Sequence, residues 1–303
     1  MSPRQITALV NPISGRGDSP QVWEPLAERL RAAGADVATV VTTSAHHVGE
    51  AAFAAACAGR VVVAVGGDGM VRDVGGGVVR GDGVMAVVPG GRGNDFARGL
   101  GITEDPATLF EMLLSGPVRS IDVLDADGVV VLGNVYLGID SRATRLINRM
   151  RRFPAVVAYR ASGPLAMLTW RAPTFTLTTD GGTRTVRAHS VIAANSGRYG
   201  RGLDIVPSAQ VDDGLIDLLV ASTDGLGRRH LAAYMAEAGT GAHVRRDAVD
   251  VVRTRSVTIA ADGPVPVGID GDEIGTLPIT VRVRAGALRM VVPVDGEARP
   301  AEA

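Results

Sequence analysis

The chain has 303 residues, of which 46% are hydrophobic and 21% charged, with a formal net charge of −1. This suits two domains or one large one and speaks against a nucleic-acid binder driven by bulk charge. All 31 residues counted as Lys+Arg are arginine, which removes the P-loop, with its obligatory lysine, and Schiff-base chemistry.

The single Cys57 forbids an intramolecular disulfide and suits a reducing compartment. Its neighbours, AAFAAACAG, read as a helix interior and a buried, inert thiol. The N-terminus, MSPRQITALV, lacks signal-peptide architecture, and no run approaches the roughly 18–20 apolar residues that span a bilayer. The expectation is a cytoplasmic protein.

In chain order, Ile6–Val10 reads as a buried strand that runs into the turn Asn11-Pro12-Ile13-Ser14-Gly15-Arg16-Gly17. Ser19-Pro20 opens a helix to about Ala33, which Gly34 stops. Strand Val37–Thr42 precedes a helix from His47 to Ala58. Strand Val61–Val65 ends in Gly66-Gly67-Asp68-Gly69, and a helix covers Met70–Val79. Strand Val84–Val88 ends in Pro89-Gly90-Gly91-Arg92-Gly93-Asn94-Asp95. A helix from about Thr103 to Leu114 and strand Val118–Leu124 complete the alternation. Continuous apolar strands alternating with helices predict a parallel sheet covered on both faces.

After about Asp125 strands follow one another: Thr174–Thr179, Arg184–Ala188, Ser190–Ala194, Leu215–Val220, Ser256–Ala260, Val265–Ile269, Ile279–Val283 and Leu288–Val292. Asp180-Gly181-Gly182 marks a hairpin, and the series predicts an antiparallel β-sandwich. Helices are expected near Ser141–Arg152, Ala155–Trp170 and Arg228–Gly239.

The glycine turns carry the chemical signal. Without Cβ atoms, backbone N–H groups reach phosphate oxygens, and the following helix adds its positive end. Two such turns on neighbouring strands form one crevice at the carboxyl edge of the sheet. Asp68, between glycines, is placed to organise metal and water or to act as a base; an Asx turn is the plain alternative. The five histidines show no metal-ligand spacing.

NPISG, GGDG, PGGRGNDFAR, VPSAQVDDGLID and IDGD, in this order and spacing, resemble the diacylglycerol kinase catalytic family, which includes bacterial soluble lipid kinases and is related to sphingosine and ceramide kinases. The resemblance runs from Asn11 to about Pro293. It implies an α/β nucleotide domain of the NAD kinase/phosphofructokinase type over residues 1–125, completed by about 288–303. It also implies a β-sandwich lipid-substrate and Mg-binding domain over 126–287.

It further implies ATP and Mg2+, with transfer of the γ-phosphate to a lipid hydroxyl, most readily diacylglycerol. Asn11, Pro12, Ser14, Gly15, Thr42, Gly66, Gly67, Asp68, Gly69, Met70, Arg72, Arg92 and Asn94 would meet the nucleotide. Asp95 and Asp122 would join an aspartate–water–Mg2+ network. The Asp213 carboxylate with the carbonyls of Gln210 and Leu215 would hold a structural Mg2+. Asp272 matches the proposed base that takes the lipid proton, with Glu273 beside it as the alternative.

Four positions depart from the family's pattern: Met70 for a Thr, Arg72 for an Asn, Arg92 for a Thr or Ser, and Asp272 for a Glu. The two arginines add guanidinium groups suited to phosphate. A kinase of a soluble acceptor resembling NAD kinase, or a non-catalytic nucleotide-binding regulator, stays open at this point. Arg145, Arg149, Arg151 and Arg152 ahead of FPAVVAYRASGPLAMLTW suggest peripheral contact with a membrane lipid surface, or a core helix with a solvated end. A homodimer is left open.

Overall fold

The structure, a computed structural model, describes residues 4–12, 19–149, 165, 170–200 and 202–294. The first half alternates β1 (Gln5–Val10), α1 (Ser19–Ala32), β2 (Asp36–Val41), α2 (Ala45–Cys57), β3 (Val61–Gly66), α3 (Asp68–Arg80) and β4 (Val84–Pro89). Short α4 (Asp95–Gly99), α5 (Pro106–Ser115) and β5 (Val118–Ala126) follow. Strands β2, β1, β3 and β4 lie side by side and parallel, as their unbroken Val/Ala/Leu runs require when both faces are covered.

Helices α2 and α3 pack unusually closely because small residues meet. A Cβ on Gly77 would lie 2.5 Å from the Gly49 carbonyl and 2.6 Å from the Ala52 methyl. Gly77, last of the GGG run inside α3, thus makes the close approach to α2, while Gly75 makes room for Leu132, although glycine weakens an isolated helix. Cys57, at the end of α2, is exposed, which corrects the expectation of a buried thiol. The chain turns at Ala58–Gly59, so the apolar stretch ends where the helix leaves the core.

The second half contains β6 (Val129–Val131), β7 (Asn134–Gly138), α6 (Ile139–Arg149), β8 (Thr174–Thr179), β9 (Gly182–Ala194), β10 (Arg198–Tyr199), β11 (Leu203–Asp204) and β12 (Ile216–Ser222). Then come α7 (Leu231–Glu237), β13 (Val249–Thr254), β14 (Ser256–Ala261), β15 (Pro266–Ile269), β16 (Asp272–Thr276) and β17 (Ile279–Val291). Strand β9 pairs with β8 through its first half and with β7 and β12 through its second, so it passes from one layer of the sandwich to the other.

Its inner residues alternate between two cores. Val191 and Ala193 enter the core between the layers, while Ile192 and Ala194 enter a third core with Leu231 and Tyr234 of α7. Leu218 and Val220 of β12 divide from Leu219 and Ala221 in the same way. Period-two alternation with both faces buried explains why these strands read as continuous apolar runs.

Two pairs of expected strands are single strands. His189 joins Arg184–Ala188 to Ser190–Ala194 because its ring is satisfied inside the protein. Nδ1 accepts from Trp170 Nε1 at 3.0 Å, and Nε2 bonds the Leu226 carbonyl at 2.8 Å. Strand β17 runs through a bulge between Arg284 and Leu288, pairing with β14 and β5 before it. Beyond the bulge the strand stays paired with β5, Arg289 and Met290 also run parallel to Val84 and Met85 of β4, and Leu288, Met290, Val291 and Val292 sit in the first core. The expected helix over Ala155–Trp170 falls almost wholly outside the described residues. Among the described residues no helix is long and apolar enough to cross a membrane.

Candidate active site

The turns after β3 and β4 touch backbone to backbone. The Gly90 N–H donates to the Gly66 carbonyl at 2.9 Å, and a Cβ on Gly91 would stand 2.4 Å from the Gly67 Cα. Gly67 is the N-cap of α3 in extended conformation, so the helix begins at Asp68. The amides of Asp68, Gly69 and Met70 therefore lie in a first turn that has no intrahelical acceptors.

The Asp68 carboxylate reaches across to the second turn. It accepts the Asn94 amide at 3.0 Å and the Phe96 amide at 3.4 Å. Asn94 adopts φ +55° and locks its own turn: Oδ1 accepts Gly91 N–H at 2.9 Å, and Nδ2 donates to Glu104 at 3.0 Å. A Cβ on Gly93 would lie 2.7 Å from Asp68 Oδ2 and 3.3 Å from Asp95 Oδ2, so two carboxylates converge on this glycine. Burial, and then the charge of Asp95, raise the Asp68 pKa. Asp95 also accepts the Gly202 amide at 2.6 Å, which links the α/β half to the sandwich.

The acidic loop between β15 and β16 closes the other side. Asp270, at φ +40°, accepts the amides of Leu132, Gly133 and Asn134 at 3.0–3.2 Å. Burial pushes its pKa up to about 6. Asp272 Oδ2 meets Arg72 Nη1 at 3.0 Å and lies 3.8 Å from where a Cβ on Gly69 would be. Arg72 also binds Asp73 at 2.8 Å. Asp272 therefore faces the first turn of α3, whereas Glu273 is turned to Arg145 at 2.7 Å.

A cavity of about 390 Å³ opens from this point between the domains. Asp68, Arg92, Asp95 and Phe96 line one side, and Leu132, Gly133 and Asp270 its floor. Tyr136, Ala143, Thr144, Tyr199, Leu203 and Met235 form the wall in the second domain. The Tyr136 and Tyr199 rings lie 5.7 Å apart. Asp140, buried at the start of α6, accepts the hydroxyls of Ser190 and Tyr199, and burial raises its pKa.

Not every expected residue faces this cleft. Met70 is 6% exposed and packs in the first core, so its side chain fills the interior; only its amide is placed for a ligand. Arg72 is paired with two carboxylates, those of Asp73 and Asp272. Thr42 gives its hydroxyl to the Val10 carbonyl at 3.1 Å, and the Asn11 amide bonds the Val65 carbonyl at 3.3 Å. Pro12 follows on the exposed side of that turn, while Ser14 and Gly15 lie outside the described residues, as do Arg151 and Arg152.

Asp122 stands apart from the cleft lining. Its two oxygens accept the amides of Gly214 and Gly286, each at 2.7 Å, so it clamps the 210–215 loop to the β17 bulge. Asp122 thus touches the loop in which Asp213, Gln210 and Leu215 are expected to hold an ion. In the 210–215 loop, Asp213 Oδ1 accepts the Leu215 amide at 3.0 Å, and Oδ2 is buried without a hydrogen-bond partner. Arg253 Nη2 stands 3.5 Å from that oxygen. Among the described residues no three His, Cys, Asp or Glu side chains converge as a metal cage. The Asp213 carboxylate, whose Oδ2 makes no hydrogen bond and only a 3.5 Å ion pair with Arg253, has the chemistry of one oxygen ligand to a hard cation.

Sequence reasoning did not assign Asp270, Asp140, Tyr136 or Tyr199. Asp270 stood inside the IDGD motif, and its place before a glycine was the available signal. The tyrosines and Asp140 come together only through β7, α6 and β10, and no local pattern announced them.

The fold sets a glycine-turn α/β half beside an antiparallel β-sandwich, with the cavity lined by residues of both. Residues 5–126 match the model for the diacylglycerol kinase catalytic domain, and residues 133–292 match that for the YegS C-terminal NAD kinase beta sandwich-like domain. The diacylglycerol kinase of Mycobacterium tuberculosis (strain H37Rv) is 31% identical over 301 residues, covering 96% of each chain. That of Bacillus subtilis (strain 168) is 25% identical over 278 residues, covering 89% of this chain and 90% of its own. In fold, the crystal structure of a diacylglycerol kinase from Bacillus anthracis str. Sterne matches with a TM-score of 0.74 at 19% identity, over 97% of this chain and 98% of its own. This chain belongs to the diacylglycerol kinase family, phosphotransferases with an alcohol acceptor.

Proposed function

We propose that the protein transfers the γ-phosphoryl group of ATP to a hydroxyl of a membrane lipid, with diacylglycerol as the first candidate. The observation that carries this reading is that Asp272 faces the first turn of α3, while Asp68 and the neighbouring Asp270 and Gly271 line a cavity shared with Tyr136, Ala143, Leu203 and Met235. Phosphoryl transfer asks mainly for positioning and charge neutralisation. Backbone amides of the two glycine turns and Arg92 would take the phosphates. Asp272 would accept the hydroxyl proton. Asp68, its pKa raised, would order the phosphate side of the cleft.

Mg2+ enters in two roles. Beside the nucleotide it would neutralise charge on the phosphates. At the 210–215 loop, Asp213 with the carbonyls of Gln210 and Leu215 would hold it as a structural ion. The acceptor would be reached by peripheral contact with the membrane surface. The test is transfer of γ-³²P from ATP with Mg2+ to a total lipid extract in mixed micelles, resolved by thin-layer chromatography. A labelled lipid that disappears with Asp68→Ala supports the reading. Label appearing only on a soluble acceptor, in the absence of detergent or vesicles, opposes it.

A further inference from the structure

Two adjacent acids at the cleft are held by two arginines from different domains. Asp272 is met by Arg72 of α3 at 3.0 Å. Glu273 receives a fork from Arg145 of α6: Nε lies 3.1 Å from both carboxylate oxygens, and Nη2 lies 2.7 Å from Oε1. Both residues open β16, where successive side chains leave opposite faces of the strand. One acid can therefore look into the transfer site only while the other looks away from it.

Helix α6 is also a wall of the cavity, to which it contributes Asp140, Ala143 and Thr144. Thr144 Oγ1 donates to the Tyr136 hydroxyl at 3.3 Å, across the same wall. The Arg145–Glu273 fork thus ties the acceptor wall to the residue next to Asp272. With side-chain exposures of 28% and 27%, the pair is screened more than a core pair and less than a surface one. A two-point guanidinium–carboxylate contact fixes direction as well as distance. For Glu273 to take a proton from an acceptor, that fork would have to break first.

On the lipid-kinase reading above, we propose that Arg145 and Glu273 are positioning residues that hold the acceptor wall in register with Asp272, and that Glu273 is not the base. Loss of the fork frees α6 to shift against β16. Misplacement by an ångström costs up to about 10²-fold in a positioned reaction. A partly exposed pair is expected to cost about tenfold, read in the acceptor KM.

The experiment is steady-state kinetics with detergent-dispersed diacylglycerol, varying lipid and ATP separately. Variants are Arg145→Gln, Glu273→Gln, their combination, and the charge swap R145E/E273R. Each single variant should raise the lipid KM about tenfold and leave the ATP KM within about twofold of wild type. The combined variant should be no worse than either single one, and the swap should recover part of the loss.

Three outcomes overturn the proposal. One is a Glu273→Gln variant that loses about 10²-fold in kcat at unchanged lipid KM, which would make Glu273 the base. Another is additive losses in the combination. The third is single variants indistinguishable from wild type. If the swap fails to fold, the cycle of glutamine variants decides alone. An inert wild type would sink the lipid-kinase reading together with this one; an active wild type with indifferent variants would sink only the role of the pair.

Discussion

Gly91→Ala tests whether the two glycine turns act as one rigid surface. The new methyl would lie 2.4 Å from the Gly67 Cα, 2.8 Å from Asn94 Oδ1 and 3.2 Å from the Gly67 amide. Ordinary contact begins at 3.4 Å, so the turns must part by 1.0 Å (3.4 − 2.4). The listener on the far side is backbone, which cannot rotate away as a side chain could. Overpacking of this kind costs about 1–3 kcal/mol of stability. A displacement of about 1 Å at the phosphate turn also predicts a loss near 10²-fold in kcat/KM for ATP, or about 2.7 kcal/mol. Asn94 loses its bond to the Gly91 amide in the same movement. The assay pairs urea unfolding with ATP-dependent kinetics, using Gly99→Ala as control because nothing lies within 4 Å of its Cβ position. If Gly91→Ala matched Gly99→Ala in both measurements, the argument that the turns form one surface would fail.

Asp122→Ala should cost about 3 kcal/mol in urea unfolding, since two amides lose a buried carboxylate at about 1.5 kcal/mol each; a loss under about 1 kcal/mol would remove the clamp. Mg2+ should raise the Tm of wild type but not of Asp213→Asn, because Asp213 Oδ2 is buried, makes no hydrogen bond and has only a 3.5 Å ion pair with Arg253; an equal rise in both would place any bound ion elsewhere. His189 is held neutral, its pKa lowered by burial. Between the folded value and about 6.5 the unfolded chain binds more protons, so the stability His189 contributes is complete above about pH 6.5 and fades as pH falls below it. The stability gap between wild type and His189→Gln should therefore narrow from pH 7.5 to 5.5, and a constant gap would contradict the assignment.

Much of the fold was legible because its signals are local. The runs Ile6–Val10, Val61–Val65 and Val84–Val88 each lead into a glycine-containing turn at a strand's carboxyl end, and all three became parallel strands. What stayed hidden depends on distant partners. His189 reads as a break in a strand until Trp170 and Leu226 satisfy it. Gly286 reads as a loop until Asp122 pins the bulge of one long strand.

The site divides on the same line. The motifs picked out Asp68, which lines the cavity, and Asp272, which faces the first turn of α3, because glycine turns and acids are short-range patterns. They could not reveal that Met70 turns inward, that Arg72 answers Asp272, or that Asp272 and Glu273 diverge toward different arginines. Side-chain direction in the first turn of a helix, or at the start of an edge strand, is fixed by tertiary packing. The cavity wall of Tyr136, Tyr199 and Met235 is assembled from three elements far apart in sequence and has no motif.

The central claim is that Asp272 takes the acceptor's proton at a lipid-kinase cleft. Its most direct test is kcat for γ-³²P transfer from ATP to diacylglycerol, comparing wild type with Asp272→Asn at saturating lipid. The account predicts a loss of about 10²–10⁴-fold in kcat with the ATP KM little changed. An Asp272→Asn enzyme that keeps wild-type kcat would contradict it.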